Sequence, residues 1–278
     1  MTDSRGRVAQ LWRYPVKSML GEQLAAAAVG PAGVSGDRVW ALLHPGSGRV
    51  VSAKDPRRWR GMLTLRAAGG APDPVRITLP DGRVVSTCDD DADTVLSTVL
   101  GAPVTLTDTP PAGATLDRAV PDAVLAAGVT ATVPVEVTTL GAAAPGSFFD
   151  FAPIHLVTTA TLDRVSAELP DGPVAADRYR PNLVVDAPGA GFVENGWVGR
   201  HLRVGAELVL RVLAPTPRCA VPTLVHGRLP RQPDALRVPA RLNRIEPLPG
   251  LGRQPCVGAY AQVVTPGRVA VGDRVELD

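Results

Sequence analysis

Along the first third of the chain, apolar positions come in short runs broken every few residues by turn chemistry, the pattern of strands rather than helices. Strands are predicted at residues 8–12, 38–43, 50–52, 63–65, 75–79 and 84–86. Pro45-Gly46 and Pro80-Asp81-Gly82 punctuate them, and the Asp-Gly pair between the last two runs predicts a hairpin. Many short strands at close spacing predict a barrel or sandwich. A helix follows, with Asp93 as N-cap, Leu96, Val99 and Leu100 on one face, and Gly101 closing it. Residues 103–146 are rich in Pro, Gly and Ala and read as a linker holding at most short strands, such as 135–137. Residues 154–157 then read as a strand that runs through Thr158 and Thr159 into a helix with Leu162, Val165 and Leu169 on one side. The β pattern returns at 182–186, 202–204, 208–213, 258–264 and 268–277. The expected fold is mainly β with a small α/β insert, as two β-barrel-like regions packed together, residues 1–105 and 106–278.

Composition narrows the function classes. With 278 residues, 45% of them hydrophobic, the chain can bury a sizeable core. A net charge of +2 and 4% aromatic residues give no basic patch and no stacking platform, so a nucleic-acid partner is not expected. The first seven residues are polar, and no later stretch has the apolar length of a membrane helix, so no membrane partner is expected either. Cys88, Cys219 and Cys256 are widely spaced, without a C-x-x-C pair, which points to a reducing, cytoplasmic setting. No phosphate-binding P-loop, dinucleotide fingerprint or G-x-S-x-G elbow is present, and the four histidines lack metal-ligand spacing.

The chemistry concentrates around Cys219, in the run Leu213-Ala-Pro-Thr-Pro-Arg-Cys-Ala-Val-Pro-Thr223. Three prolines forbid a helix there and stiffen the backbone into an extended segment. The adjacent Arg218 guanidinium favours the thiolate, the nucleophilic and metal-binding form of cysteine. The plain alternative is a small buried hydrophobe. Only Lys17 and Lys54 among the 29 basic residues are lysine, which marks both as positions where an ammonium is not exchanged for a guanidinium. Polar residues also gather beside predicted strand ends: Tyr14 to Ser18, Gly36-Asp37-Arg38, Arg178 to Asn182, and Arg218-Cys219. If these ends converge, Lys17, Arg38, Arg180 and Arg218 surround a thiolate, a pocket suited to a phosphorylated ligand and a thiophilic metal. Otherwise they are solvated surface charges.

Six of these runs, taken in order, carry a resemblance. Tyr14-Pro-Val-Lys-Ser18, Gly36-Asp-Arg-Val-Trp40, Arg178-Tyr-Arg-Pro-Asn-Leu-Val184, Phe192-Val-Glu-Asn-Gly-Trp197, Pro217-Arg-Cys219 and Gly272-Asp-Arg-Val275 resemble the MOSC family, named for the C-terminal domain of molybdenum cofactor sulfurase. The resemblance implies an N-terminal β-barrel domain at 1–105 and a MOSC domain at 106–278, with the MOSC-type barrel at the C-terminal end. It implies a molybdenum cofactor (molybdopterin with Mo), with Cys219 as metal ligand and catalytic centre. Lys17, Ser18, Arg38, Arg180, Asn182 and Arg218 match positions around the pterin and its phosphate. Characterised relatives reduce N-hydroxylated compounds of the amidoxime and hydroxylamine type, so the implied substrate is a small N-hydroxylated molecule. No pyridoxal phosphate is implied. With no four-cysteine set in the chain, the electrons are expected from a separate flavin, iron–sulfur or haem protein. Thr216 stands where relatives often carry a second cysteine, Pro217 replaces a small residue, and Met19 replaces a cysteine. Two rival expectations are a carrier of the cofactor or of sulfur without substrate turnover, and a cofactor-free β protein with a redox-sensing thiol.

Overall fold

The computed structural model describes residues 5–170 and 172–278, so residues 1–4 of the polar start lie outside the described part. The first predicted strand forms, and besides a short pairing with Glu22–Leu24 its partners come from the far end of the chain. Seven strands make a closed barrel: β1 (Arg5–Arg13), β2 (Ile154–Thr158), β3 (Leu183–Asp186), β4 (His201–Val204), β5 (Leu208–Pro217), β6 (Gln254–Thr265) and β7 (Arg274–Leu277). The order round the barrel is β2-β3-β1-β7-β4-β5-β6, and β6 pairs back with β2. Only β2 and β3 run parallel, which the crossover helix Thr159–Ser166 between them requires. β1 sits between β3 and β7, with Val8 opposite Val185 and Arg7 opposite Arg274.

Side-chain alternation explains why these strands read as continuous apolar runs. Leu183 and Val185 point into the barrel core with Val8, Leu11 and Leu210, while Val184 points out into a second core. That outer core is covered by the helices Thr159–Ser166 and Asp234–Leu242 through Leu162, Val165, Ala235 and Val238. Strands buried on both faces lose the polar half of their alternation. The first of these helices starts where predicted: the Thr158 hydroxyl accepts from the Thr161 amide.

Much of the chain between β1 and β2 forms an outer region beside the barrel. The predicted hairpin lies in a three-stranded antiparallel sheet of Arg66–Ala68, Arg76–Thr78 and Val84–Ser86. The helix Ala92–Leu100 ends on Gly101, whose φ of 69° is the left-handed C-cap that glycine allows. Several expectations are corrected, among them the N-cap of this helix, which is Asp91 rather than Asp93. Residues 60–64 form a 3-10 turn rather than a strand, with Met62 and Leu63 buried all the same. Residues 103–146 are no linker: Thr105–Thr107, Thr115–Ala119 and Val135–Thr139 join Ala41–His44 and Arg49–Val50 in a five-stranded sheet. Much of that segment is exposed and only Leu116 and Ala119 of its central strand are fully buried, so its apolar signal is thin. Residues 268–277 break at Gly272 into two strands, and the first, Gly267–Ala270, pairs with Ala26–Gly30. β5 runs to Pro217, past its predicted end, because register irregularities beside β6 accommodate its prolines.

A third core, within the outer region, holds Met19, Met62, Leu63, Ile77 and Leu96 and also includes Cys219, Val221 and Leu224. Chain leaving the barrel after β5 therefore completes the packing of the outer region, and the two regions share a core. Among the described residues, no helix is long and apolar enough to cross a membrane.

Candidate functional site

At this junction Lys17, Ser18 and Arg38 from one end of the chain meet Arg180, Asn182, Arg218 and Cys219 from the other around one pocket. The segments are laid side by side by backbone pairing. Lys17 N donates to Trp40 O at 2.8 Å, and Arg38 N donates to Tyr14 O at 2.8 Å. Among the described residues, the non-glycine positions with positive φ are Ser18 (64°), Arg38 (51°) and Arg180 (56°), all three in this pocket. Such conformations cost of order 1–3 kcal/mol each and persist only where surrounding structure imposes them.

The barrel side carries the thiol. Arg218 N donates to Pro255 O at 2.8 Å, so strand pairing continues past β5 to the residue before Cys219. Cys219 is 8% exposed and packs at the edge of the shared core, more buried than a loop thiol. Arg218 donates through Nη2 to Tyr179 O (2.8 Å), and its guanidinium lies 5.4 Å from the Tyr179 ring centroid. Arg180 stacks on Tyr14 at 4.3 Å and donates to Met19 O. Burial, then the nearby Arg38, lowers the Arg180 guanidinium to about 10. Arg180 Nη2 and Arg218 Nε are buried with no hydrogen-bond partner, and neither arginine has a carboxylate in ion-pair range among the described residues. Asn182 holds the wall together: its Oδ1 accepts from His155 N at 3.1 Å, and its own N donates to His155 O at 2.7 Å.

On the opposite side the cations are ion-paired, three of them to two carboxylates. Lys17 Nζ donates to Phe148 O (2.6 Å) and Asp150 Oδ1 (2.8 Å), and Lys54 Nζ lies 2.8 Å from the same Asp150 oxygen. Burial is the main reason the Lys17 ammonium falls to about 8, although Asp150 opposes it. Burial would raise the Asp150 carboxyl, but the two lysines hold it well below the usual carboxylate range. Arg38 pairs with Asp37, lies 5.0 Å from the centroid of the Tyr14 ring, and donates to Arg180 O at 3.2 Å. Ser18 Oγ accepts from Ala53 N at 3.2 Å and meets Ser52 Oγ.

Sequence reasoning missed several pocket residues. Lys54 carried a signal, as one of two lysines, but was not placed in the site. Asp150 lay just beyond the segment taken for a linker, with nothing local to mark it. His155 looked like one apolar-strand histidine among four. In the fold its Nδ1 lies 3.3 Å from Arg180 O and its Nε2 lies 3.4 Å from Arg218 Nη1. Burial and then Arg218 push its pKa down to about 3, so the ring is neutral at physiological pH. Nε2 also lies 3.4 Å from Val257 O; hydrogen on Nδ1 serves Arg180 O and lets Nε2 accept from Arg218, whereas hydrogen on Nε2 would serve Val257 O instead. Gly258 makes room for this ring: a Cβ there would lie 2.5 Å from His155 Nε2 and 2.4 Å from Leu156 O.

An anionic cofactor fits this donor set. Five cations and one carboxylate line the pocket, and two buried guanidinium nitrogens lack acceptors, which phosphate oxygens would supply. Among the described residues no group of three His, Cys, Asp or Glu could hold a metal ion. A metal here would have Cys219 as its protein ligand and take its other donors from the cofactor.

Residues 5–100 match the family model for the MOSC N-terminal beta barrel domain, and residues 144–276 match that for the MOSC domain. The chain belongs to the MOSC family, in the form that carries this N-terminal domain. Domains of this family are associated with molybdenum cofactor binding. Among solved structures, the chain is similar to the YuaD protein of Bacillus subtilis, at 12% identity over 98% of this chain and 95% of that one, with a TM-score of 0.47. It is also similar to YiiM of Geobacillus stearothermophilus, at 15% identity over 46% of this chain and 54% of that one, with a TM-score of 0.33. No curated protein matches the chain.

Proposed function

We propose that this protein is a molybdenum-cofactor-dependent oxidoreductase that reduces small N-hydroxylated compounds with electrons from a separate redox protein. One observation carries the reading: a buried cysteine, its neighbour Arg218 and the distant Arg180 converge with Lys17, Ser18 and Arg38 in one pocket, and neither Arg180 nor Arg218 has a carboxylate in ion-pair range among the described residues. A redox-sensing thiol needs no such anion site. Cys219 would bind the metal, Arg180 and Arg218 would hold the cofactor's phosphate, and Lys17, Ser18 and Arg38 would line its other side. When bound, the cofactor supplies the two-electron chemistry at the N–O bond. The chain's own residues bind and orient it. The neutral His155 fixes the Arg218 guanidinium without adding charge, and the Lys17 ammonium, with its pKa lowered to about 8, is a proton source close to working pH. Cys88, Cys219 and Cys256 are free thiols, which supports a cytoplasmic location for the proposed enzyme.

The test is metal analysis of protein expressed in a cofactor-competent host, followed by benzamidoxime reduction with an artificial electron donor. Bound molybdenum with turnover is expected. Molybdenum without turnover on any N-hydroxylated substrate would assign the protein as a carrier instead, and protein without molybdenum would overturn the reading.

A further inference from the structure

Two segments that line the pocket continue outward and wall a second concavity behind it. Residues 52–54 lead into the turns Pro56–Trp59 and Arg60–Thr64, and Cys219 to Val221 leads into the loop 224–231. The groove between them has a volume of about 460 Å³. Arg57, Arg58, Arg60 and Arg231 surround it, and Leu100, Val129, Leu224 and Val225 form its apolar lining. Val225 is 47% exposed, so the lining is open to solvent. Among the described residues, no carboxylate lines the groove. Arg58 reaches Asp117 only at 4.0 Å, and Arg60 donates to the carbonyls of Pro56 and Arg57. Arg57 and Arg231 make no ion pair among the described residues.

The groove is built rather than incidental. Arg178, 2% exposed, spends its guanidinium on three carbonyls of the 222–230 loop, at Pro222 (3.3 Å), Leu224 (3.0 Å) and Pro230 (2.6 Å). Gly227 N donates to Leu63 O at 2.9 Å and ties that loop to the opposite wall. A fixed cleft of this size, apolar beneath and polar at its rim, has the form of a small-molecule site. Arg57, Arg60 and Arg231 have no carboxylate in ion-pair range among the described residues and Arg58 has only a distant one, so the groove favours an anion, and the planar fork suits phosphate or sulfonate oxygens. The shared core, with Trp59, Leu63 and Val221, separates this groove from the cofactor pocket.

We propose that this groove binds a small amphipathic anion: an aromatic or aliphatic body on the Leu100–Val225 lining, with a phosphate-like head among Arg57, Arg58, Arg60 and Arg231. The site is independent of the redox reading. The probe is 1-naphthyl phosphate, titrated by its fluorescence and by backbone amide NMR, with inorganic phosphate and 1-naphthol as the separate halves. Saturable binding at least tenfold tighter than either half is expected, with shifts at Leu100 and Val225. The double variant Arg57→Ser/Arg231→Ser and the lining variant Val225→Asp should each weaken it tenfold or more. Lys17→Gln, in the other pocket, should change it less than twofold. Binding that survives both groove variants, or that Lys17→Gln abolishes, would overturn the proposal. So would binding of polyglutamate to this face without naphthyl phosphate, which would make it a docking surface for an acidic protein.

Discussion

The two walls of the candidate pocket hold similar numbers of cations in different ways. On the wall from the start of the chain, the cations sit in ion pairs: Lys17 and Lys54 share the single Asp150 carboxylate, and Arg38 holds Asp37. On the barrel wall, Arg180 and Arg218 have carbonyls and aromatic rings instead, beside a histidine kept neutral. A paired cation contributes shape and stability, because its field is already answered. An unpaired one, held by dipoles and π-faces, keeps its field for whatever enters. The pocket's attraction for an anion therefore comes from the barrel wall, and its outline comes from the other.

The largest expected effect is at Cys219. Cys219→Ser should abolish molybdenum retention, since a hydroxyl is a harder donor and far harder to deprotonate. Because the thiol packs into the shared core, the change should also destabilise the fold by about 1–3 kcal/mol, the cost of a buried hydroxyl. Cys88→Ser and Cys256→Ser should keep the metal, as burial pushes the Cys256 thiol up to about 12 and keeps it protonated. X-ray absorption and metal content on the three variants check this, and full metal with unchanged sulfur ligation in Cys219→Ser would be decisive against it.

Arginine removal separates the walls. Arg38→Ala leaves Asp37, 3% exposed, without its partner, and should lower unfolding free energy by about 3–5 kcal/mol. Arg180→Ala and Arg218→Ala strip unpaired cations, so their effect should be on cofactor retention, tenfold or more (about 1.4 kcal/mol). Urea unfolding and cofactor content measured on all three variants should rank them oppositely. If Arg180→Ala destabilises as much as Arg38→Ala and keeps its cofactor, the contrast between walls is wrong.

A pH series tests the neutral histidines. His155 and His226 are both driven by burial from 6.5 to about 3 in the fold. Between those values the unfolded chain binds more protons than the native one, so stability is full above about pH 6.5 and falls as the pH drops toward 3. Each ring should account for about 1–2 kcal/mol between pH 6.5 and 5. Denaturant midpoints across that range should show His155→Gln removing about half of the slope; an unchanged slope would mean the ring is not buried neutral. The smallest effect compares the two lysines. Lys17, 5% exposed and clamped by Phe148 O and Asp150, has no room for a guanidinium, whereas Lys54 is only partly buried. Lys17→Arg should lower cofactor occupancy severalfold and Lys54→Arg less than twofold. Equal occupancy in both would show that the clamp tolerates a larger cation.

Much of the local structure was legible in the chain. Period and punctuation located β1, the hairpin at 76–86, the helix closed by Gly101 and the strand-to-helix passage at Thr158, because each is settled by neighbours in sequence. The five-stranded sheet was not, since its strands at 105–107, 115–119 and 135–139 bury too few side chains to stand out from Pro/Gly-rich chain. The helix Asp234–Leu242 was hidden by Pro233 and the internal Pro239. All seven candidate site residues meet in one pocket, but Asp150 and His155 could not be chosen, because nothing adjacent to either distinguishes it from an ordinary polar residue.

By itself, the sequence determined the mainly β character, the stiff Pro/Arg-framed segment that presents Cys219, and the short roster of cations that accompany it. These follow from local propensity and residue chemistry. Only the tertiary structure decided that β1 is a stave of a barrel otherwise built from residues 154–277, and that Asp150 answers Lys17 from 133 positions away. It also decided that Ser18, Arg38 and Arg180 share a left-handed backbone at one site. Apolar periodicity reports that a face is buried without naming what buries it, and a charge states its sign without naming its partner. Both choices are made by long-range strand pairing and close packing, which bring together groups that no local window contains.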